Sequence, residues 1–176
     1  MSYNEETIER NYVYEGKIIK VRVDKVRLHG GRISKREVVE HNGGVGIVAL
    51  NDKNELIMVK QFRKPFESEI LEIPAGKLED GEDPLHCGTR ELEEETGFVP
   101  KDMKFLGEIY PSPGFSKEVL YLYFTKNMEK GKVHLDEGEF VDVEYIKFDD
   151  AVDMIYKGKI KDAKTIAGIL MAQKYI

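Results

Sequence analysis

Gly81-Glu82-Asp83-Pro84-Leu85-His86-Cys87-Gly88-Thr89-Arg90-Glu91-Leu92-Glu93-Glu94-Glu95-Thr96-Gly97 is the stretch around which the rest of the chain can be read. Asp83 is placed to cap a helix, and Pro84 suits its first position, where a missing N–H costs nothing. Gly97 is the residue best able to take the left-handed conformation that ends a helix. The spacing therefore predicts a helix from Pro84 to Thr96. At about 100° per residue, Glu91, Glu94 and Glu95 share one sector while Glu93 points nearly opposite. Leu85 and Leu92 predict a separate apolar face that holds the helix against a sheet.

Like charges three and four residues apart destabilise a helix by a few tenths of a kcal/mol per pair. The C-terminal end of the helix dipole disfavours these acids further. A solvated acidic face is the usual fate of a Glu run. Here the crowding of hard oxygen donors favours a divalent cation such as Mg²⁺. Arg90, one helical turn before Glu94, is placed to pair with it and fix its orientation.

Working outward, strand-like patterns run from Tyr12 to Val39 on either side of the turn His29-Gly30-Gly31. Val45 to Leu50 and Leu56 to Gln61 read as a hairpin about Asn51-Asp52-Lys53-Asn54. Ser68 to Pro74 holds a short strand that Pro74-Ala75-Gly76 breaks. Beyond the helix, Phe105 to Tyr110, Val119 to Thr125 and Val141 to Phe148 read as strands. The loop Pro111-Ser112-Pro113-Gly114-Phe115 separates the first two, and the acidic loop Asp136-Glu137-Gly138-Glu139 precedes the third. Two helical patterns close the chain, at 149–156 and 162–175. The result is one mixed α/β unit without repeats or low-complexity linkers.

A length of 176 residues suits one domain, and a hydrophobic share of 41% is enough for a core, which excludes wholesale disorder. The net charge of −6, evenly mixed along the chain, argues against nucleic acid as a partner. No apolar run approaches the ~20 residues needed to cross a bilayer. Met1-Ser2-Tyr3-Asn4-Glu5-Glu6 lacks the basic start and apolar core of a signal peptide. The expectation is a cytoplasmic protein with no membrane partner. The single cysteine, Cys87, cannot form an internal disulfide and reads as a small buried side chain rather than a nucleophile.

Gly76, Glu82 and Arg90-Glu91-Leu92-Glu93-Glu94-Glu95-Thr96-Gly97-Phe98 fill, at the right separations, every fixed position of the Nudix box, so the chain resembles a Nudix hydrolase. Val59-Lys60-Gln61-Phe62-Arg63, Leu71-Glu72-Ile73-Pro74-Ala75-Gly76, Pro113 and the tail Gly158-Lys159-Ile160-Lys161-Asp162-Ala163-Lys164-Thr165 are similar to the ADP-ribose pyrophosphatase branch. The resemblance implies an α+β fold: a Nudix-type α/β/α sandwich with a mixed sheet over 43–176, plus an N-terminal antiparallel β-sheet segment over 1–42. It also implies a homodimer in which the N-terminal strands are exchanged.

By the same resemblance, Glu91, Glu95, Glu94 and the carbonyl of Ala75 hold Mg²⁺ or Mn²⁺. Glu82 and Arg90 orient those ligands, although for Arg90 a structural salt bridge is an equally good reading. Glu137 is the first candidate for the base that activates water and Glu139 the second. An ordinary solvated acidic turn is the alternative for both. Arg63 corresponds to a diphosphate-binding arginine and Arg36 to an adenosine-side one, with surface ion pairs as the bland alternative. Pro113, Gly114 and Phe115 shape the terminal ribose end.

The implied reaction is hydrolysis of ADP-ribose to AMP and ribose 5-phosphate. The alternatives are another nucleoside diphosphate sugar, such as GDP-mannose or ADP-glucose, and a non-catalytic ADP-ribose-sensing Nudix domain.

Overall fold

The computed structural model describes residues 3–176. The chain divides into two units, one taking the chain up to Gly43 with Tyr110–Val119, the other taking Gly44–Ile109 with Leu120–Ile176.

In the first unit, β1 (Glu6–Glu15), β2 (Lys20–Arg27) and β3 (Ile33–Glu40) form an antiparallel sheet in that order. The turn between β2 and β3 needs left-handed backbone, which Gly30 and Gly31 supply at φ 92° and 88°. The sheet starts earlier than the sequence pattern suggested, because the charged run from Glu6 hides a strand that pairs with β2 up to Arg27. Arg27 Nε donates to Glu6 across that pairing at 3.0 Å. On β2 the two faces separate cleanly. Val21 and Val23 line a cavity with Val13, Val39 and Phe115. Arg22, Asp24 and Val26 are buried, with Arg22 hydrogen-bonded to Asp24. The segment Tyr110–Val119 joins this sheet through Val39, whose N–H donates to Phe115 O at 2.8 Å.

The second unit is built on β4 (Gly44–Leu50), which is buried along its whole length. Its alternation feeds two cores. Val45, Ile47 and Ala49 pack with Cys87 and Leu92 of α1 (Pro84–Thr96). Val48 and Leu50 pack on the opposite face with residues of α2 (Phe148–Tyr156) and α3 (Ala163–Ala172), among them Phe148, Ala151, Ile169 and Ala172. Each fully buried side chain of this size contributes about 1.5–3 kcal/mol. Between the helix layers lies a mixed sheet. Its order is β12 (Val141–Lys147), β5 (Glu55–Arg63), β4, β10 (Leu120–Thr125), β9 (Lys104–Ile109). β4 and β10 are parallel and the other pairs antiparallel. This is the α/β/α sandwich expected.

Three details differ from the sequence reading. Leu85 is exposed, and Cys87 and Gly88 take its place on the buried face of α1. A Cβ on Gly88 would stand 3.1 Å from Val45 and Met103 side chains, so small residues let the helix approach the sheet. Ala75-Gly76 does not end the extended chain. After β6 (Ser68–Glu72), which pairs with β5, the strand β7 (Ala75–Lys77) pairs with β4 instead. Pro74 lacks an N–H, yet its carbonyl accepts from Ile47 N at 2.9 Å, so the chain changes partners there without losing contact. Finally, β8 (Phe98–Pro100) and β11 (Met128–Lys130) pair with each other, and at three residues each they are too short to show a period. Among the described residues, no helix is long and apolar enough to cross a membrane.

Candidate active site

The capping expected from the sequence is present. Asp83 Oδ1 accepts from Leu85 N at 3.0 Å and His86 N at 3.1 Å, and Gly97 closes α1 at φ 72° with its N–H on Glu93 O at 2.8 Å. A helix fixed at both ends and buried on Cys87, Gly88 and Leu92 leaves its remaining side to the carboxylates. Glu93 indeed points elsewhere, and its Oε1 accepts from Lys132 N at 3.3 Å.

Glu91 lies against Gly76 of β7. A Cβ at Gly76 would stand 1.9 Å from Glu91 Oε1, so only glycine leaves room for this carboxylate. Glu95 is 3% exposed and accepts the N–H of Ala75 at 3.0 Å. Burial, with Glu91 and Glu139 adding to it, pushes the Glu95 carboxyl up to about 8 against the opposing Ala75 bond and Arg63 charge. Burial raises Glu91 as well, opposed by Arg90.

Arg90 ties the group together. Its Nη1 donates to Glu91 Oε1 and to Glu94 Oε2, both at 2.9 Å. Its Nε and Nη2 each lie 3.2 Å from Glu82, one on each oxygen. Burial works against the ionised form of Glu82, but the Arg90 hydrogen bonds and the Glu79 N–H outweigh it and bring the carboxyl down to about 2. Glu82 and Arg90 are thus a firm ionic pair beside the softer Glu91 and Glu95. Glu94 also has His134 Nε2 at 3.6 Å from its Oε1.

Of the acidic loop, Glu139 is half-buried and accepts from Gln61 Nε2 at 3.0 Å, and its charge reaches Glu91 and Glu95. Glu137 is exposed, and Gly138 between them is left-handed at φ 84°. Arg63, at the end of β5, grips Glu72 with Nε at 2.7 Å and Nη2 at 2.8 Å, and it sits close enough to influence Glu95. Arg36, Pro113, Gly114 and Phe115 belong to the first unit. There Arg36 forms an exposed pair with Glu5 at 2.8 and 2.5 Å, and Phe115 is exposed. Cys87 is buried, and burial pushes its thiol up to about 12, the state of an inert side chain.

Sequence reasoning assigned no role to Gln61, Glu72 or Lys164. Gln61, Glu72 and Lys164 all lie in runs that resemble the pyrophosphatase branch, but only the fold reveals what each one touches.

The donor set fits a hard divalent cation. The oxygens are carboxylates, one of them deeply buried without a side-chain hydrogen-bond donor, and the glycine opposite keeps space for Glu91. Among the described residues, no group of three or more His, Cys, Asp or Glu side chains is already placed to hold a metal ion. Glu91 and Glu94 are paired with Arg90.

A family model described as the NUDIX domain matches residues 40–169, and one described as the nucleoside diphosphate sugar hydrolase N-terminal domain matches residues 5–39. The chain is 43% identical to a methanol dehydrogenase activator from Bacillus methanolicus, covering 97% of this chain and 94% of the relative. It is 42% identical to an ADP-ribose pyrophosphatase from Bacillus subtilis (strain 168), covering 98% and 94%. A crystal structure of an ADP compounds hydrolase superposes with a TM-score of 0.88 over 99% of this chain and 96% of that one; at 19% identity the likeness is one of fold. With the box glutamates gathered on one capped helix and the family's domain matched over most of the sequence, the chain belongs to the Nudix hydrolase family.

Proposed function

We propose that this protein hydrolyses ADP-ribose to AMP and ribose 5-phosphate with Mg²⁺, Mn²⁺ being the alternative metal. The observation that carries the reading is the placing of Glu91 against Gly76 and Glu95 against Ala75, with Glu94 joined to Glu91 through Arg90, in a chain 42% identical over nearly its whole length to a named ADP-ribose pyrophosphatase. Glu91, Glu95, Glu94 and the carbonyl of Ala75 would hold the cation. Bound there, it supplies charge neutralisation at the diphosphate and a lowered pKa for the attacking water.

The chain's own groups do the rest. Arg90 and Glu82 hold the carboxylates at the helix end in register. For the base, the sequence ranks Glu137 first and Glu139 second; the half-buried position of Glu139 and its hydrogen bond from Gln61 favour the reverse order, so Glu139 is proposed to take the proton from the attacking water, with Glu137, beyond the left-handed Gly138, as the alternative. The water oxygen bonds to one phosphorus as the bridging P–O bond breaks, and that bridging oxygen leaves on the other phosphate. Arg63 would bind the diphosphate; the family resemblance assigns Arg36 to the adenosine and Pro113, Gly114 and Phe115 to the terminal ribose. We further propose a cytoplasmic homodimer that exchanges its N-terminal strands. In support, β1 carries exposed Ile8, Tyr12, Val13 and Tyr14.

A second reading has an independent basis. The chain is 34% identical over 148 residues to a GDP-mannose pyrophosphatase from Yersinia enterocolitica. A panel of ADP-ribose, ADP-glucose and GDP-mannose at equal concentration with Mg²⁺ separates the two, with AMP and ribose 5-phosphate the dominant products expected. A hexose substrate ranking well above ADP-ribose overturns the first reading. Binding of ADP-ribose without turnover would make the protein a sensor.

A further inference from the structure

The tail run Asp162-Ala163-Lys164-Thr165 forms the first turn of α3, on the opposite face of the sheet from α1. Asp162 caps it, with Oδ2 accepting from Thr165 N at 2.9 Å and Thr165 Oγ1 at 2.6 Å. The same Thr165 Oγ1 accepts from Ile73 N at 2.9 Å, so the helix start is fastened to the residue after β6. Lys164 is buried, which for a lysine demands partners, and it has two: Asp162 at 3.0 Å and Glu72. Glu72 is itself buried, and its carboxylate also takes both N–H groups of the Arg63 Nε–Nη2 edge.

Buried ion pairs are weak evidence for stability, because desolvation consumes most of the attraction. This one has a direction. Its inner members are sealed, whereas Arg63 remains 38% exposed with its Nη1 end clear of Glu72. A carboxylate bound to Arg63 alone would cancel that arginine's charge. Lys164 draws on the same carboxylate, and it fixes the plane in which the Arg63 fork must lie.

We propose that Lys164, acting through Glu72, is a positioning residue that aims the Arg63 guanidinium and preserves its positive potential toward the diphosphate of the substrate. The inference deepens the reading of Arg63 given above and rests on it.

A double-mutant cycle tests it, with KM and kcat measured for whichever nucleotide sugar the panel ranks first and a melting temperature taken for each variant. Lys164→Gln raises KM about tenfold while kcat stays within about threefold, the size expected for a charge-assisted contact weakened and not removed. Lys164→Arg, which keeps the charge but not the compact shape of the ammonium, raises KM less than Lys164→Gln does. In an Arg63→Gln background, Lys164→Gln adds less than about twofold, because its route to the substrate is gone. If Lys164→Gln fails to fold, Lys164→Met takes its place with the same expected values. A raised KM in Arg63→Gln with an unchanged KM in Lys164→Gln, or effects that multiply independently, overturns the positioning role alone. An unchanged KM in Arg63→Gln overturns the reading of Arg63 and this proposal with it.

Discussion

Gly76→Ala is the substitution whose consequence follows most directly from the packing of Glu91 against β7. The new methyl would stand 1.8 Å from Glu91 Cδ, 1.9 Å from Oε1 and 2.3 Å from Cγ. Carbon atoms rest at about 3.5 Å, so one partner must retreat by about 1.7 Å. The strand cannot easily do so, because β7 is paired with β4 and Gly76 is registered against Val45. The Glu91 side chain moves instead and gives up its 2.9 Å contact with Arg90. A misplacement of about 1 Å costs on the order of 100-fold in rate, which is about 2.7 kcal/mol of barrier. Stability should fall only by about 1 kcal/mol, the low end for overpacking, because the displaced carboxylate has solvent to move into. The assay is kcat at saturating Mg²⁺ and substrate beside a thermal melt. Glu91→Asp in the Gly76→Ala background shortens the crowded side chain and should recover part of the loss. A Gly76→Ala protein that keeps more than about one-tenth of wild-type kcat would refute the placement of Glu91 as a group that needs this space.

Four further outcomes are expected. Mg²⁺ at about 100 times its Kd should stabilise the fold by about 2.7 kcal/mol, read as a higher Tm than in chelator, and Glu95→Gln should remove most of that shift; equal shifts in both proteins would mean the cation binds elsewhere. Glu139→Gln should lower kcat by at least about 100-fold, with Glu137→Gln well behind it, and the reverse order would transfer the base to Glu137. Burial opposes the charge on Glu72, but Arg63 and Lys164 hold its carboxyl below the ordinary value of 4.5. Its contribution is therefore full above that pH and fades as pH falls through the lower folded value; Glu72→Gln should cost about 3–5 kcal/mol at neutral pH and flatten the acid limb of a stability curve. Cys87, buried with its thiol raised to about 12, should react with a thiol reagent only on unfolding, and rapid labelling of the native protein would contradict its burial.

How much of this was legible beforehand depended on the range of the interaction. The limits of α1 rest on Asp83, Pro84 and Gly97, local signals that act within one turn, and they hold to the residue. The sorting of Glu91, Glu94 and Glu95 away from Glu93 is likewise a property of the helix repeat alone. Leu85 was misjudged because heptad spacing says nothing of how near the sheet comes, and Gly88 allows an approach that Cys87 fills better. β7 was hidden because Pro74 reads as a break, whereas the strand only changes partner from β5 to β4. The contacts of Glu72 with Lys164 and of Gln61 with Glu139 span 92 and 78 residues, and no pattern in either segment signals the other.

The charge arithmetic sharpens what α1 is built to do. Its carboxylates sit where the helix dipole disfavours them, Glu95 is sealed from water, and burial holds both Glu91 and Glu95 above their ordinary ionisation range. Arg90 offsets this only in part, because two of its N–H groups are committed to Glu82 and a single nitrogen, Nη1, is shared between Glu91 and Glu94. The two arms of the arginine are therefore unequal. The pair with Glu82, whose carboxyl lies at about 2, is fixed at any working pH. The contacts through Nη1 are the ones the proposed cation would compete for, and the Glu82 anchor does not depend on them. An acidic protein would in this way take an anionic substrate: part of its negative charge is concentrated on one helix face, where the proposed metal would offset it, while the Glu82–Arg90 pair holds that face in place.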